Sequence, residues 1–412
     1  MLNNEKIRED FPILNKLTYL DSASTSLTPI PIVEAINDYF LNYNANIGRG
    51  AYKIAIKAGN IVDDTRENLA NLINVKSNEI IFTKNTTEAI NIISNGLNFS
   101  NNNKNNNKKN KNKENTNKKN NNIIVSDIEH HSNIIPWLSL ANVEVKILQS
   151  ENYQLNPEIL SEKIDKHTKL VAITHISNSF GSKQDIKSIE KIAHDNGSLL
   201  LIDGAQSIGH SKIDIKKLKP DFMAFPGHKG LMGPVGTGFL YMKEEHIEKV
   251  APTNLGGGTI VDYENGKFKL EDSPYRFEGG TLNIAGIIGL NNAINYINKI
   301  KIDNIEKYSD KLTNYMHNNL KEIENIEIYA NPSNIHNIVA FNLNNLNPYD
   351  ISKILDETNN ICVRSGFHCA IPALKSYNIS EGTIRASLHC YNNKNDIDKL
   401  IENLDEISRF LS

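Results

Sequence analysis

The chain has 412 residues, 45 Lys and Arg against 48 Asp and Glu, a formal charge of −3 and 39% hydrophobic residues. That length supports a sizeable core and suggests two domains, while the near-neutral charge gives no reason to expect nucleic acid or an anionic membrane as partner. No apolar run approaches the roughly 18 residues of a membrane-spanning helix, and the charged opening MLNNEKIREDFPIL does not fit a secretory leader.

Residues 5–20 read as a short helix and a strand, ending in the small, polar stretch 19–26 (YLDSASTS), a tight turn able to lie under a ligand. Ile32, Ala35, Ile36 and Phe40 give 31–43 a helical spacing. The stretch 44–50 (NANIGRG) is a loop, and a long helix follows over 51–73. From residue 79 short apolar runs alternate with helical stretches. Strands are expected at 80–83, 123–126, 143–148, 169–174, 198–202, 222–225 and 238–242, with helices at 87–97 and 185–195. Such alternation predicts an α/β fold with a mostly parallel seven-stranded sheet covered by helices on both faces. Ligands on these sheets sit beyond the carboxyl ends of the strands, where Thr86, Thr87, Glu129, His130, Asn178, Asp203, Gln206 and Lys229 fall.

Residues 98–122 interrupt this pattern. The tract is almost wholly Asn and Lys, with seven Lys and one Glu from 101 to 122, a local charge of +6 that leaves the rest of the chain at −9. It cannot bury a core and reads as a disordered surface insertion; lacking aromatic and arginine residues, it gives no expectation of nucleic-acid binding.

After 276–283 (RFEGGTLN) a long helical region runs to about 324. Strands at 326–329 and 338–343, a helix at 348–358, strands at 362–363 and 384–388 and a last helix at 394–411 complete a smaller α+β unit. The expected division is a large domain over 21–284, interrupted at 98–122, and a small α+β domain from 1–20 and 285–412. Cys362, Cys369 and Cys390 form neither a CxxC pair nor a disulfide framework, which points to a reducing, cytoplasmic setting.

Two residues carry the chemistry. Lys229, just after a buried strand and followed by Gly230, Gly233, Gly236 and Gly238, is either a helix-end or phosphate-binding lysine or, if its pKa is lowered, a Schiff-base former. Asp203, closing the run LLID, could cap a helix, ligate a metal or pair with a cationic nitrogen. No further carboxylates stand near it to build a metal site. A lysine nucleophile and a carboxylate for a pyridinium nitrogen together suggest pyridoxal phosphate.

The chain from Tyr19 onward resembles the class V branch of the fold-type I pyridoxal-phosphate enzymes, and within it the group II cysteine desulfurases and selenocysteine lyases. The likeness rests on FTKNTTEAIN (82–91), EHHSNIIPW (129–137), THISN (174–178), DGAQ (203–206), GHK (227–229), FEGGTLN (277–283), RSGFHCA (364–370) and RASLHCYN (385–392). Eight motifs in order are highly specific. The resemblance implies that Lys229 carries the cofactor covalently, that Asp203 pairs with the pyridine nitrogen and that His130 stacks on the ring. Asn178 and Gln206 would reach its phenolic oxygen, and Thr87, His228 and, across a homodimer interface, Thr281 would hold the phosphate. Arg385 would grip the substrate carboxylate, with Arg364 and Asn46 also at the substrate, and Cys369 would be the nucleophile that takes sulfur from L-cysteine; L-selenocysteine is the alternative substrate. The sulfur would then serve iron-sulfur cluster assembly or a related pathway. Cys362 and Cys390 read as small buried hydrophobes, and His131, His175 and His210 as structural or exposed.

Three positions depart from the family pattern. Gly48 stands where a histidine is usual, Pro226 where a phosphate-binding serine is common, and Phe367 replaces the first of two histidines before the cysteine. Within the same cofactor class a transaminase, epimerase or lyase would need Lys229 and Asp203 but not Cys369. A non-enzymatic scaffold would not need the complete set of Lys229, Asp203, His130, Arg385 and Cys369.

Overall fold

The computed structural model describes residues 2–48, 50–99, 121–344 and 346–411. Its centre is a seven-stranded sheet built from β1 (Ile80–Thr83), β2 (Asn121–Ser126), β3 (Val143–Leu148), β4 (Thr168–Thr174), β5 (Leu199–Asp203), β6 (Phe222–Pro226) and β7 (Gly238–Met242). The spatial order is β1-β7-β6-β5-β4-β2-β3. β7 runs antiparallel to both neighbours and the remaining pairings are parallel, which agrees with the mostly parallel sheet expected from sequence.

The strands read as unbroken apolar runs because both faces are buried. Successive side chains go to opposite sides. Val171, Ile173, Leu200, Ile202, Met223 and Phe225 join one core cluster, and Leu170, Ala172, Leu201, Phe222 and Ala224 join the other. Helices α1 (Ile30–Asn42), α2 (Lys53–Ile73), α3 (Thr86–Gly96), α4 (Ile186–Asp195) and α5 (Ile284–Ile300) supply the covering faces.

A second, antiparallel sheet has the order β8-β9-β11-β10, from β8 (Ile326–Tyr329), β9 (Ile338–Leu343), β10 (Arg364–Gly366) and β11 (Thr383–Ser387). Val339, Phe341, Ile384 and Ala386 pack it against α6 (Ile302–Leu320), α7 (Pro348–Asn359) and α8 (Lys394–Leu411). The chain start joins this region, since Thr18–Tyr19 pairs in parallel with Ile361–Cys362.

Several boundaries differ from the sequence expectation. The long helical region is two helices, broken at Lys301, whose φ of +74° is left-handed and which no Gly or Pro announces. Residues 100–120, the bulk of the expected insertion, lie outside the described residues. Its rims do not belong to it: Phe99 packs edge-on to Trp137, and Asn121 and Asn122 are buried in β2, held by Asn121 Nδ2 donating to Phe99 O at 2.5 Å and Asn122 Nδ2 to Asp165 Oδ1 at 3.0 Å. An antiparallel hairpin, Ile260–Glu264 with Lys267–Leu270, turns on Asn265 and Gly266, both at positive φ.

Candidate active site

The loop after β6 carries Lys229 and is built by close backbone approach. A Cβ on Gly209 would stand 2.0 Å from Gly230 O, and one on Gly230 the same distance from Ile208 O, so only glycine lets the two segments touch. His389 Nδ1 accepts from Cys390 N, which leaves Nε2 to donate to Gly230 O at 3.0 Å. Ser26 N and Thr25 Oγ1 donate to His228 O at 2.9 and 3.2 Å. The loop is therefore fixed by both the 19–26 turn and the C-terminal region.

Lys229 opens into a cavity of about 270 Å³ at the carboxyl end of the sheet. Burial lowers its amine from 10.5 to about 8; Asp203 opposes that shift, while Arg385 and Arg364 add to it. Asp203 ends β5, and its Oδ1 accepts from Ala205 N at 2.9 Å. Burial raises the Asp203 pKa against the opposing pull of that amide and of Lys229, so a positive partner in the cavity would stabilise the carboxylate.

His130 covers another wall. Burial, with Lys229 next, lowers its pKa to about 3, so it is a neutral ring at pH 7. Its Nδ1 accepts from Ser132 N at 3.1 Å and lies 2.9 Å from Ser132 Oγ, which leaves the ring proton on Nε2. Ser132 Oγ is in turn 2.7 Å from Thr87 Oγ1. The preceding Glu129 is buried and accepts from Ser126 Oγ, Asn133 Nδ2 and Thr174 N at 2.5, 2.7 and 2.9 Å, tying the His130 segment to the end of β4. Burial nonetheless holds its pKa up to about 8.

The start of α3 borders the same cavity. Asn85 caps this helix by accepting from Glu88 N at 2.9 Å, and Thr86 and Thr87 line the cavity. First-turn amides have no partner within a helix, and they favour a phosphate there. Thr86 Oγ1 and His228 Nδ1 are buried without a hydrogen-bond partner and line the same cavity. Donors for a phosphate, an amine for an aldehyde, a flat neutral ring and a buried carboxylate together fit pyridoxal phosphate.

The opposite end is cationic. Arg385 on β11, 2% exposed, donates from Nη1 to Asn178 O at 2.9 Å and from Nη2 to Ser24 Oγ at 2.7 Å and Asp21 Oδ1 at 3.1 Å. Its Nε has no partner. Arg364 Nη1 donates to the same Ser24 Oγ at 2.7 Å, and its Nη2 stands 4.0 Å from Cys369 Sγ. Two guanidiniums on one hydroxyl suit a carboxylate ligand. Cys369 is exposed, on the loop between β10 and the short helix Ile371–Ser376. Asn178 Nδ2 donates to His368 O at 2.8 Å, and Gln206 Nε2 to Ala23 O at 2.9 Å.

Thus Lys229, Asp203, His130, Asn178, Gln206, Thr87, His228, Arg385, Arg364 and Cys369 line one cavity, although they are spread over 299 residues of chain, from 87 to 385. Thr281 and Asn46 do not. Thr281 is exposed and lines a separate depression with Gly236, Asn254 and Glu278, and Asn46 is exposed with its Oδ1 accepting from Ile47 N at 2.9 Å. Pro226 lines the cavity without offering a donor, Phe367 packs against the cluster containing Ala373 and Leu374, and Gly48 has a left-handed φ of +94°. Cys390 is fully buried and burial pushes its thiol up; Cys362 is partly buried and shifts the same way. His175 and His210 are buried. Sequence reasoning did not single out Ser24 and Ser132. Ser24 had only its place in the small-residue turn to mark it, and Ser132 only its place two residues after His130.

Residues 18–400 match the family described as Aminotransferase class-V. A probable cysteine desulfurase of Methanothermobacter thermautotrophicus is 47% identical over 412 residues, covering 99% of this chain and 98% of that protein, and one of Pyrococcus abyssi is 39% identical over 99% and 98%. The apo structure of a cysteine desulfurase from Thermococcus onnurineus superposes with a TM-score of 0.91 at 37% identity, covering 100% of this chain and 99% of that one. The cysteine desulfurase CsdA of Escherichia coli gives 0.88 at 29% identity over 100% of both chains. The cavity lies within the matched span, and the chain belongs to the aminotransferase class-V family.

Proposed function

We propose that the protein is a pyridoxal 5′-phosphate-dependent cysteine desulfurase that converts L-cysteine to L-alanine and takes the sulfur onto Cys369 as a persulfide. Bound cofactor supplies an electron sink for the substrate's α-carbon. Lys229 would hold the cofactor and move the substrate's α-proton, since its amine, lowered to about 8, has a neutral fraction at neutral pH. Asp203 would keep the cofactor's pyridine nitrogen protonated, and the neutral His130 ring would pack against it. Arg385 and Arg364 orient the substrate carboxylate. The Cys369 thiolate attacks the substrate sulfur: an S–S bond forms, the C–S bond breaks with its electron pair moving to the β-carbon, and that carbon is then protonated, so cysteine plus enzyme thiol gives alanine plus enzyme persulfide.

The observation that carries this reading is the presence of a free, exposed thiol in the same cavity as Lys229 and Asp203, 4.0 Å from an arginine that also points at the carboxylate end. A transaminase has no use for it. The test is alanine release from L-cysteine by purified, cofactor-loaded protein with one enzyme-bound sulfur formed per alanine in the first turnover; alanine without bound sulfur, or none at all, contradicts the reading.

We further propose that the active unit is a cytoplasmic homodimer in which the partner's copy of the exposed Thr281 segment completes the phosphate site. A fully active monomer by sedimentation at assay concentration contradicts it.

A further inference from the structure

The Cys369 loop is strained and gripped at few points. His368 and Cys369 both have left-handed φ values, +51° and +56°, and Gly366 lies at +104°. Side chains rarely adopt that conformation, and it persists only where the surroundings impose it. His368 is held by its carbonyl accepting from Asn178 Nδ2 at 2.8 Å and by its Nε2 lying 2.8 Å from Thr383 Oγ1. On the far side of the thiol the grip comes from a residue of the large sheet's own loops, His131. Its backbone N donates to Cys369 O at 2.8 Å, and its ring Nε2 accepts from Ile371 N at 3.1 Å. These two bonds bracket the peptide units on either side of Ala370.

We propose that His131 is a positioning residue for the sulfur-accepting thiol, its ring nitrogen fixing the Cys369 loop over the cofactor cavity. The inference rests on the reading of Cys369 as the acceptor. Nε2 can accept only in the neutral ring with the proton on Nδ1, and burial lowers the His131 pKa, which favours that form. Ile371 opens its helix, so its amide has no partner within it, and the His131 ring takes the place of a helix cap. His130 and His131 thereby divide the work: one ring faces the cofactor cavity, and the next, 6.3 Å away between centroids, faces the nucleophile's loop. The carboxylate grip of Arg385 and Arg364 does not pass through His131, so substrate binding is separable from thiol placement.

The test compares two rates in single turnover of the cofactor-loaded enzyme with L-cysteine: the cofactor's spectral change on substrate binding, and the appearance of bound sulfur on Cys369. In His131→Ala the first rate and its dependence on cysteine concentration stay as in wild type while the second rate falls about 10- to 100-fold, the cost of roughly an ångström of misplacement. His131→Gln, whose carbonyl can reach Ile371 N, restores most of the second rate. An unchanged sulfur rate in His131→Ala overturns the proposal, as does an equal fall of both rates, which would place the effect on the cofactor side. If the Ala variant does not fold, His131→Asn, too short to reach, replaces it against His131→Gln, and equal sulfur rates in that pair overturn the proposal. Sulfur mapped to a residue other than Cys369 in wild type removes the underlying reading instead, so the two failures are distinct.

Discussion

Arg66 and Glu278 form a bidentate buried ion pair, Nη1 to Oε1 at 2.7 Å and Nη2 to Oε2 at 2.8 Å, with their side chains 6% and 2% exposed. Two backbone groups join the pair, since Arg66 Nη1 donates to Ile80 O and Glu278 Oε1 accepts from Phe82 N, each at 2.7 Å, while Arg66 Nε is buried without a partner. The pair thus ties α2 and β1 to the segment that presents Thr281. Removing one partner leaves an uncompensated buried charge, so Glu278→Ala should cost about 3–5 kcal/mol. Chemical denaturation checks this. Replacing both residues with apolar ones of similar volume should cost much less.

Lys229 sets a pH dependence with a definite sign. Only the neutral amine can capture the cofactor's aldehyde, and the folded-state pKa is lowered to about 8. Cofactor capture by the apoenzyme should therefore rise about tenfold per pH unit below 8 and level off above it. Stopped-flow absorbance measures this, and a rise continuing to pH 10 would mean that burial does not depress the amine. Lys229→Ala should yield no borohydride-trapped adduct at this position.

Arg385→Lys keeps the charge but loses the fork. The lost charge-assisted bond, at about 1.5–3 kcal/mol, predicts a KM for cysteine raised about 10- to 100-fold. Steady-state kinetics decide, and an unchanged KM would move the carboxylate away from Arg385.

Residues 101–120 are almost wholly Asn and Lys and offer no apolar side chain to a core, so replacing them with a short linker should leave turnover unchanged. Carrying the deletion to 122 should be harmful. Asn122 accepts from Thr168 Oγ1 at 2.7 Å and donates to Asp165 Oδ1 at 3.0 Å inside the sheet. A thermal melt of the two deletions separates the tract from the strand.

That last contrast shows what the sequence could and could not reveal. The alternating apolar runs announced the sheet because both faces are buried, so Val171 and Leu200 needed no long-range information to be placed. Asn121 and Asn122 were hidden because their composition matches the tract beside them, and only tertiary partners make them strand. The hairpin turning on Asn265 and Gly266 carries a recognisable Asn-Gly signal. At the site, motifs marked Lys229, Asp203, His130, Arg385 and Cys369, which line one cavity. Ser24, which joins Arg364 to Arg385 by two bonds of 2.7 Å, and the ring of His131 on Ile371 N depend on distant segments meeting, which no local pattern records.

The most direct test is Cys369→Ser, loaded with cofactor and given sulfur-labelled L-cysteine. Lys229, Asp203 and Arg385 are untouched, so the cofactor's spectral change on adding substrate should persist. An alcohol is a far poorer nucleophile toward sulfur than a thiolate, so labelled sulfur should no longer remain on the protein. Full sulfide release by this variant, with label recovered on Cys362 or Cys390, would contradict the account.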